Sequence, residues 1–327
     1  MPLTLSHTVE HWPIAGSFGI SRGVKTEAIV VVAEFGDGKA RGRGECVPYA
    51  RYHESVESVM AQIDALRPKL AAGLDRCGLQ TAMPPGAGRN ALDCAFWDLE
   101  AKRGGRPVHE IAGLPPPRPL TTAFTISLAT PAEMAKAAEK AAHRPLLKVK
   151  LGADGDAARI AAVRTAAPKA TLIVDANEGW TESNLADNFK ACVEAGVVLI
   201  EQPLPDGKDE TLSRIQRPIP VCADESVHDR PSLAALAGKY DAVNIKLDKT
   251  GGLTEALAMV SEAERQDLAI MVGCMVATSL AMAPALLPAQ RARFVDLDGP
   301  LLLRTDRADG LRYEESLVYP ATSRLWG

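Results

Sequence analysis

The heptapeptide "LLKVKLG" (residues 146–152) decides how this chain is read. Leu146, Leu147, Val149 and Leu151 form an apolar run that Gly152 ends, and two lysines, Lys148 and Lys150, sit inside it. Side chains alternate across a strand, so both lysines point to the same side. A strand that looks buried yet aims two ammonium groups at one place needs counter-charges there. Working outward, similar short runs recur: "TAFTISL" (122–128), "TLIVDAN" (171–177), "VVLIEQP" (197–203), "IPVCADE" (219–225), "AVNIKL" (242–247), "IMVGCM" (270–275) and "RFVDLDG" (293–299). Alanine-rich amphipathic segments lie between them, among them "DAARIAAVRTAAP", "ESNLADNFKACVEAG" and "GLTEALAMVSEAERQ". Eight strands alternating with helices imply parallel βαβ units, an α/β class and a closed barrel. An open doubly wound sheet is the alternative. No glycine-rich phosphate fingerprint follows any of the strands, which weakens it.

The ionisable residues in these runs fall in phase. Lys150, Asp175, Glu201, Asp224 and Lys246 each stand at or near the end of a run, spaced by 25, 26, 23 and 22 residues on subtraction of their positions. Each gap is one strand plus one helix, so successive strands put one charge at the same end of the sheet, the active-site face of such barrels. Taken singly, Asp175 or Asp224 reads as a helix cap or turn residue and Glu201 as a loop residue. Three carboxylates on adjacent strand ends, however, repel one another unless a cation lies between them. An all-oxygen donor set favours a hard divalent ion, Mg²⁺ first and Mn²⁺ second. Lys150 on the second strand and Lys246 on the sixth flank that centre as a two-base pair. Lys148, one layer deeper, adds a like charge that disfavours protonation of Lys150, and it can reach a substrate carboxylate. A metal there would stabilise the charge that builds up when a carbon next to a carboxylate loses its proton.

The chain has 327 residues, enough for one large and one smaller domain. A net charge of -4 argues against nucleic acid or an anionic membrane as the main partner. The start, "MPLTLSHTVEHWPIAG", lacks the pattern of a secretory signal, and no stretch is apolar enough to span a bilayer. Six scattered cysteines without a C-x-x-C pair read as free thiols in a reducing compartment, so a cytoplasmic protein is expected. The first third reads as α+β. "EAIVVVAEFGDGKARGRGECV" (27–47) looks like two strands around "GDGK", and "GRNALDCAFWDLEAKRGG" (88–105) looks like a helix with Leu92, Ala95, Phe96 and Leu99 on one face. The proline-rich "GLPPPRPL" (113–120) sets the boundary, with domains expected at 1–115 and 116–304.

Together, "LKVKLG", "VDANEGW", "IEQPLP", "CADESVHD" and "NIKLDKTGGLTEAL" resemble the enolase superfamily, in its muconate-lactonizing-enzyme-like branch. The resemblance implies a (β/α)7β TIM-like barrel with an α+β capping domain completed by about residues 305–327. It implies Mg²⁺ on Asp175, Glu201 and Asp224, and Lys150 and Lys246 as the acid/base pair; Lys bases with Mg²⁺ are a general pattern of that superfamily. In "FVDLDGP", Asp296 and Asp298 form an i, i+2 pair on the eighth strand, expected to point to one side. That pair looks like the ammonium-binding site of dipeptide epimerases, with L-Ala-D/L-Glu as the substrate type and murein peptides as the context. Arg22, in the glycine-flanked loop "GISRGVKTE", would then pair with the glutamyl side-chain carboxylate. Tyr49 and Tyr52 in "VPYARYHES", Thr125 on the first strand, and Cys274 and Met275 on the seventh are expected substrate contacts, with Lys148 on the carboxylate. A homo-oligomer is expected. Rival readings are o-succinylbenzoate synthase or cycloisomerase chemistry, which needs no ammonium site, and a non-catalytic dipeptide-binding protein, which predicts loss of an acid/base or metal position.

Overall fold

The computed structural model describes residues 3–152 and 154–327. Three strands open the chain, β1 (Thr4–Ile20), β2 (Gly23–Gly36) and β3 (Arg41–Cys46), in one antiparallel sheet of that order. The expected hairpin over 27–47 is present as β2 and β3, and its turn is fixed by Asp37, whose carboxylate accepts from the Lys39 and Ala40 N–H groups at 2.9 and 2.7 Å. The long strand β1 was not expected. Pro13 and Gly16 interrupt its alternation, and the pairing with β2 shifts register between Pro13 and Phe18. The expected helix spans Ala87–Gly104 and ends on Gly105, which is left-handed at φ 61°.

That helix packs on the sheet at very short range. A Cβ at Gly42 would lie 2.2 Å from the Ala95 carbonyl oxygen, and one at Gly44 would lie 2.1 Å from that of Ala91. Glycine at both positions lets backbone meet backbone, and Leu92, Ala95, Phe96 and Leu99 fill the space around Val31, Ala33 and Phe35.

After the short strand β4 (Leu120–Thr121) come the eight expected strands: β5 (Phe124–Ile126), β6 (Leu146–Lys150), β7 (Thr171–Asp175), β8 (Val197–Glu201), β9 (Val221–Ala223), β10 (Ala242–Ile245), β11 (Ala269–Gly273) and β12 (Phe294–Asp296). They form one parallel sheet in sequence order. The Ala123 N–H donates to Val295 O at 2.8 Å and the Leu297 N–H to Thr122 Oγ1 at 2.8 Å, which joins the first strand to the last and closes the barrel. Helices fill five of the seven connections; the fourth and fifth carry only 3₁₀ turns, Glu210–Ser213 and Pro231–Leu236. The chain ends with β13 (Tyr313–Glu314) and β14 (Leu317–Val318), which pair with β4. Its last residues return to the helix Ala87–Gly104: Trp326 Nε1 donates to Cys94 O at 3.0 Å and the Gly327 N–H to Asp98 at 2.7 Å. No helix among the described residues is long and apolar enough to cross a membrane.

Period-2 alternation decides what faces the barrel axis. Ala123, Leu146, Ile173, Leu199, Cys222, Ala242, Met271 and Phe294, one from each strand or its first flank, form one buried apolar cluster that floors the barrel. Two and four residues further along, in the same phase, stand Thr125, Lys148 and Lys150, Asp175, Glu201, Asp224, Asn244 and Lys246, Met275, and Asp296 and Asp298. The residues of opposite phase, such as Leu147, Val149, Val174, Ile200, Val243 and Val272, belong to the larger core shared with the surrounding helices.

Because backbone atoms meet the place a new methyl would occupy, Gly44→Ala is expected to destabilise the protein by roughly 1–3 kcal/mol. Urea unfolding checks this, and an unchanged midpoint would show that the helix can shift away freely.

Candidate active site

Strand pairing brings the charged residues together row by row. Lys150 is registered with Asp175, and Asp175 with Glu201; Asp224 follows β9 directly and Lys246 follows β10. Asp175, Glu201 and Asp224 each offer a carboxylate oxygen, and these three atoms all lie within 4.8 Å of one another in a fully buried cluster. Charges so close and dry must be compensated.

Lysines supply part of the compensation. Lys148 Nζ donates to Asp296 Oδ2 at 2.8 Å and lies 3.1 Å from Asp175 Oδ2. It also lies 2.6 Å from Glu201 Oε2, a contact without hydrogen-bond geometry that leaves this oxygen unpartnered. Lys150 Nζ donates to Asp175 Oδ2 at 2.6 Å, and Lys246 Nζ to Asp224 Oδ2 at 2.6 Å. Burial works against the Lys148 and Lys246 ammonium groups, but the carboxylates around them outweigh it and raise both pKa values, with Asp296 foremost for Lys148 and Asp224 for Lys246. Burial likewise opposes ionisation of Asp175 and Asp224, yet their lysine partners hold both below the usual carboxylate range. Glu201, pushed up by burial and by Asp175, rises to about 7. Three carboxylates, those of Asp175, Glu201 and Asp296, thus surround the Lys148 ammonium.

The three carboxylates fit a hard divalent cation. They present oxygen donors alone, they converge, and one buried oxygen of Glu201 has no hydrogen bond. The residues that would hold the ion are Asp175, Glu201 and Asp224.

A cavity of about 860 Å³ opens above this cluster toward the β1–β2 hairpin. Of the expected contacts, Arg22, Tyr49, Tyr52, Thr125, Lys150, Lys246, Cys274, Met275, Asp296 and Asp298 line it, together with Asp224. Lys148, Asp175 and Glu201 lie beneath the lining. Arg22 reaches the cavity from the first sheet. It stands in the two-residue turn between β1 and β2 and is already engaged: it donates to Asn177 O at 2.9 Å, Glu178 at 3.1 Å, Tyr49 Oη at 3.1 Å and Glu225 at 2.7 Å. Asp298 lies outside the eighth strand, where it was expected: β12 ends at Asp296, and Asp298 precedes the short helix Gly299–Leu302 without a side-chain cap bond, its carboxylate accepting the Thr125 N–H at 2.7 Å. Burial, and then Asp296, push its carboxyl up to about 7. Asp296 Oδ1 is buried without a partner.

Several residues at the site escaped sequence reasoning. Glu225 lines the cavity with one oxygen on Arg22 and the other unpartnered. It follows Asp224 directly, in the phase read as outward. Lys249 donates to Asp224, and Asn244 Nδ2 donates to Glu201 Oε1 at 2.6 Å. Asn244 was legible, since it stands two residues before Lys246 and so shares its phase.

The helix Leu247–Thr250, which follows Lys246, is tied to the first sheet through Asp248. Its Oδ1 accepts the Val47 N–H at 3.1 Å and the Asn90 amide at 2.8 Å, and burial raises its carboxyl to about 7.

Comparison with known proteins identifies the family. Residues 3–113 match the mandelate racemase/muconate lactonizing enzyme N-terminal domain, and residues 132–319 match the enolase C-terminal domain-like family. The chain is 48% identical over 306 residues to the L-Ala-D/L-Glu epimerase of Escherichia coli, covering 93% of this chain and 95% of that one. It is 47% identical to an N-acetyl-D-glutamate racemase of Pseudoalteromonas, over 91% of this chain and 95% of that one. A solved enolase family member from Agrobacterium tumefaciens, with homology to dipeptide epimerases and with sodium and L-Ala-L-Glu bound, superposes with a TM-score of 0.98 at 57% identity over 100% of both chains.

A carboxyl held protonated by the fold binds a proton that the unfolded chain releases. Asp248 therefore contributes stability at low pH that is lost as pH rises from its ordinary value of 3.8 through about 7. Asp248→Asn keeps the Oδ1 acceptor and removes the titration. The variant's Tm is expected to fall less than that of the native protein between pH 5 and pH 8; parallel Tm-against-pH curves would contradict the assignment.

Proposed function

The chain belongs to the mandelate racemase/muconate lactonizing enzyme family of the enolase superfamily, and on that premise we propose that it is a Mg²⁺-dependent dipeptide epimerase acting on L-Ala-D/L-Glu. The observation that carries the reading is that Lys150 and Lys246, from the second and sixth strands, line one cavity together with Asp224, Asp296 and Asp298. One ammonium-bearing side chain on each side of a substrate carbon permits a 1,1-proton transfer. One lysine, as the free amine, takes the α-proton of the C-terminal residue, and the C–H electron pair passes into the adjoining carboxylate group. The other lysine, as the ammonium, returns a proton to the opposite face. No bond to a leaving group breaks. Mg²⁺ held by Asp175, Glu201 and Asp224, or Mn²⁺ in its place, supplies positive charge where the substrate carboxylate gains electron density.

Binding divides along the cavity. Lys148 adds charge near the substrate carboxylate from beneath. Asp296 and Asp298 receive the amino end, a role supported by the unpartnered Asp296 Oδ1. Arg22 reads the glutamyl side chain by exchanging one of its present carboxylate partners for it, with Tyr49, Tyr52, Thr125, Cys274 and Met275 shaping the rest. We take residues 1–115, completed by about 305–327, as the cap over a barrel of residues 116–304. Murein-derived dipeptides fit this specificity. The proposal includes a cytoplasmic location, supported by six free cysteines, and a homo-oligomer of the kind common in the superfamily.

A second reading, racemisation of an N-acylated glutamate, has one observation in its favour. Asp296 Oδ2 and Asp298 Oδ2 are already held by Lys148 and by the Thr125 N–H, so half of the acidic pair is spoken for. One experiment separates the two. Proton NMR in D₂O with Mg²⁺ follows the glutamyl α-proton of L-Ala-L-Glu and of N-acetyl-L-glutamate. Loss of the dipeptide signal, with the L,D diastereomer appearing and EDTA stopping both, is the expected outcome. Exchange of the N-acetyl compound alone would transfer the assignment to it. Lys150→Ala and Lys246→Ala are each expected to lower turnover by at least about 10²-fold, the scale of a general acid–base contribution. Retained turnover in both variants would sink the two-lysine assignment.

A further inference from the structure

Beside the carboxylate cluster lies a second set of polar groups that the proton-transfer reading leaves unused. Lys249, buried on the helix Leu247–Thr250, donates to three acceptors at once: Asp224 Oδ1 at 2.5 Å, Asp224 O at 2.6 Å and Asn244 O at 2.9 Å. Three acceptors take all three N–H bonds of an ammonium group, so Lys249 has no proton site to offer a substrate. It is also absent from the cavity wall. Asn244 continues the set. Its side-chain amide donates to Glu201 Oε1 at 2.6 Å, and a carboxylate oxygen can only accept. It packs tightly against the next strand, since a Cβ at Gly273 would lie 2.6 Å from Asn244 Oδ1 and 2.8 Å from Nδ2. Asp224 is pinned from the other side as well, where Gln202 Oε1 accepts its N–H at 2.8 Å.

We propose that Lys249 and Asn244 are positioning residues that act as one brace, orienting the Asp224 and Glu201 carboxylates so that a divalent cation finds them preset. The idea rests on the reading of Asp175, Glu201 and Asp224 as the metal site. Asn244 links the two arms, because its carbonyl receives Lys249 while its amide holds Glu201. With the brace in place, Asp224 turns Oδ1 down to Lys249 and leaves Oδ2 on the cavity side with Lys246. Glu201 likewise has Oε1 fixed by Asn244 and Oε2 free of hydrogen bonds. Neither residue touches substrate in this arrangement, so both act through the ligands.

The brace makes a prediction opposite in sign to simple electrostatics. Lys249 places a positive charge beside a cation site, and on Coulomb grounds its removal should tighten metal binding. A positioning role requires the reverse, with removal of a group that orients a ligand typically weakening metal affinity 10–100-fold. Mn²⁺ titration followed by electron paramagnetic resonance measures this without turnover. Lys249→Met, of similar length and uncharged, is expected to bind Mn²⁺ at least about tenfold more weakly than the native protein. Asn244→Leu, which leaves the net charge unchanged, is expected to do the same. Equal or tighter Mn²⁺ binding by a folded Lys249→Met variant overturns the brace. Should that variant fail to fold, Asn244→Leu decides: weaker binding supports the proposal, and unchanged binding overturns it. Native protein that binds no Mn²⁺ overturns the metal reading and the brace with it, whereas native binding with unaffected variants overturns the brace alone.

Discussion

Everything at this site follows from shutting carboxylates and ammonium groups together inside a closed barrel. A buried, unpaired charge costs several kcal/mol even after relaxation, so each must find a partner within reach. Lys148 shows how tightly this constrains the fold. Its ammonium lies against Asp296, Glu201 and Asp175, which belong to the eighth, fourth and third strands of the barrel, while it stands on the second. Only a closed sheet brings the eighth strand beside the second. The same ion cluster that serves the chemistry thus depends on barrel closure, and removing any one member strands the others.

The apolar floor explains why the charges collect at one end. Ala123, Leu146, Ile173, Leu199, Cys222, Ala242, Met271 and Phe294 fill the axis with side chains and exclude water from below. Above them the same alternation continues with polar residues, so one strand can be a core element at its start and a site element at its end. The strands are short, three to five residues each, and the change of character takes only two residues. The first sheet closes the open end. Arg22 and Arg51 share Glu178, Arg22 also holds Glu225, and Asp248 holds Val47 and Asn90, so the two units meet through charged and hydrogen-bonded contacts that ring the cavity.

Much of this was legible in the sequence, because period and phase are local properties. The eight runs, the spacing of Lys150, Asp175, Glu201, Asp224 and Lys246, and the helix over Ala87–Gly104 all follow from patterns within a few residues. The parts that were not legible depend on contacts far apart in the chain. β1 carries no clean alternation because it is a long edge strand, bulged between Pro13 and Phe18, whose partner register and not its own pattern keeps it extended. Nothing near Asp298 signals that its carboxylate will cap the Thr125 N–H, 173 residues away. Lys249 looks like an ordinary charge in "LDKTGG" until Asp224 is brought against it. Glu225 looks like the exposed neighbour of a ligand until Arg22 arrives from the hairpin.

Arg22 is the residue on which the proposed specificity turns. A guanidinium with five N–H donors is already shared among Asn177 O, Tyr49, Glu178 and Glu225. Those four bonds leave only the Nε–H, so a substrate carboxylate gripped by two N–H groups has to take the place of a present partner, and the two glutamates are the carboxylates it would replace. Glu178 is the harder to displace, since Arg51 grips both of its oxygens at 2.8 and 2.7 Å and the Asp206 N–H adds a third bond. Glu225 is held by Arg22 through one oxygen and has an unpartnered second oxygen, and burial, then the charges of Asp224 and Asp175, push its carboxyl up to about 7. It is the partner most easily given up. Under the proposed function, in which Arg22 reads the acidic side chain, Arg22 and Glu225 would work as a pair, and the exchange between them would set how strongly an acidic substrate is preferred over a neutral one.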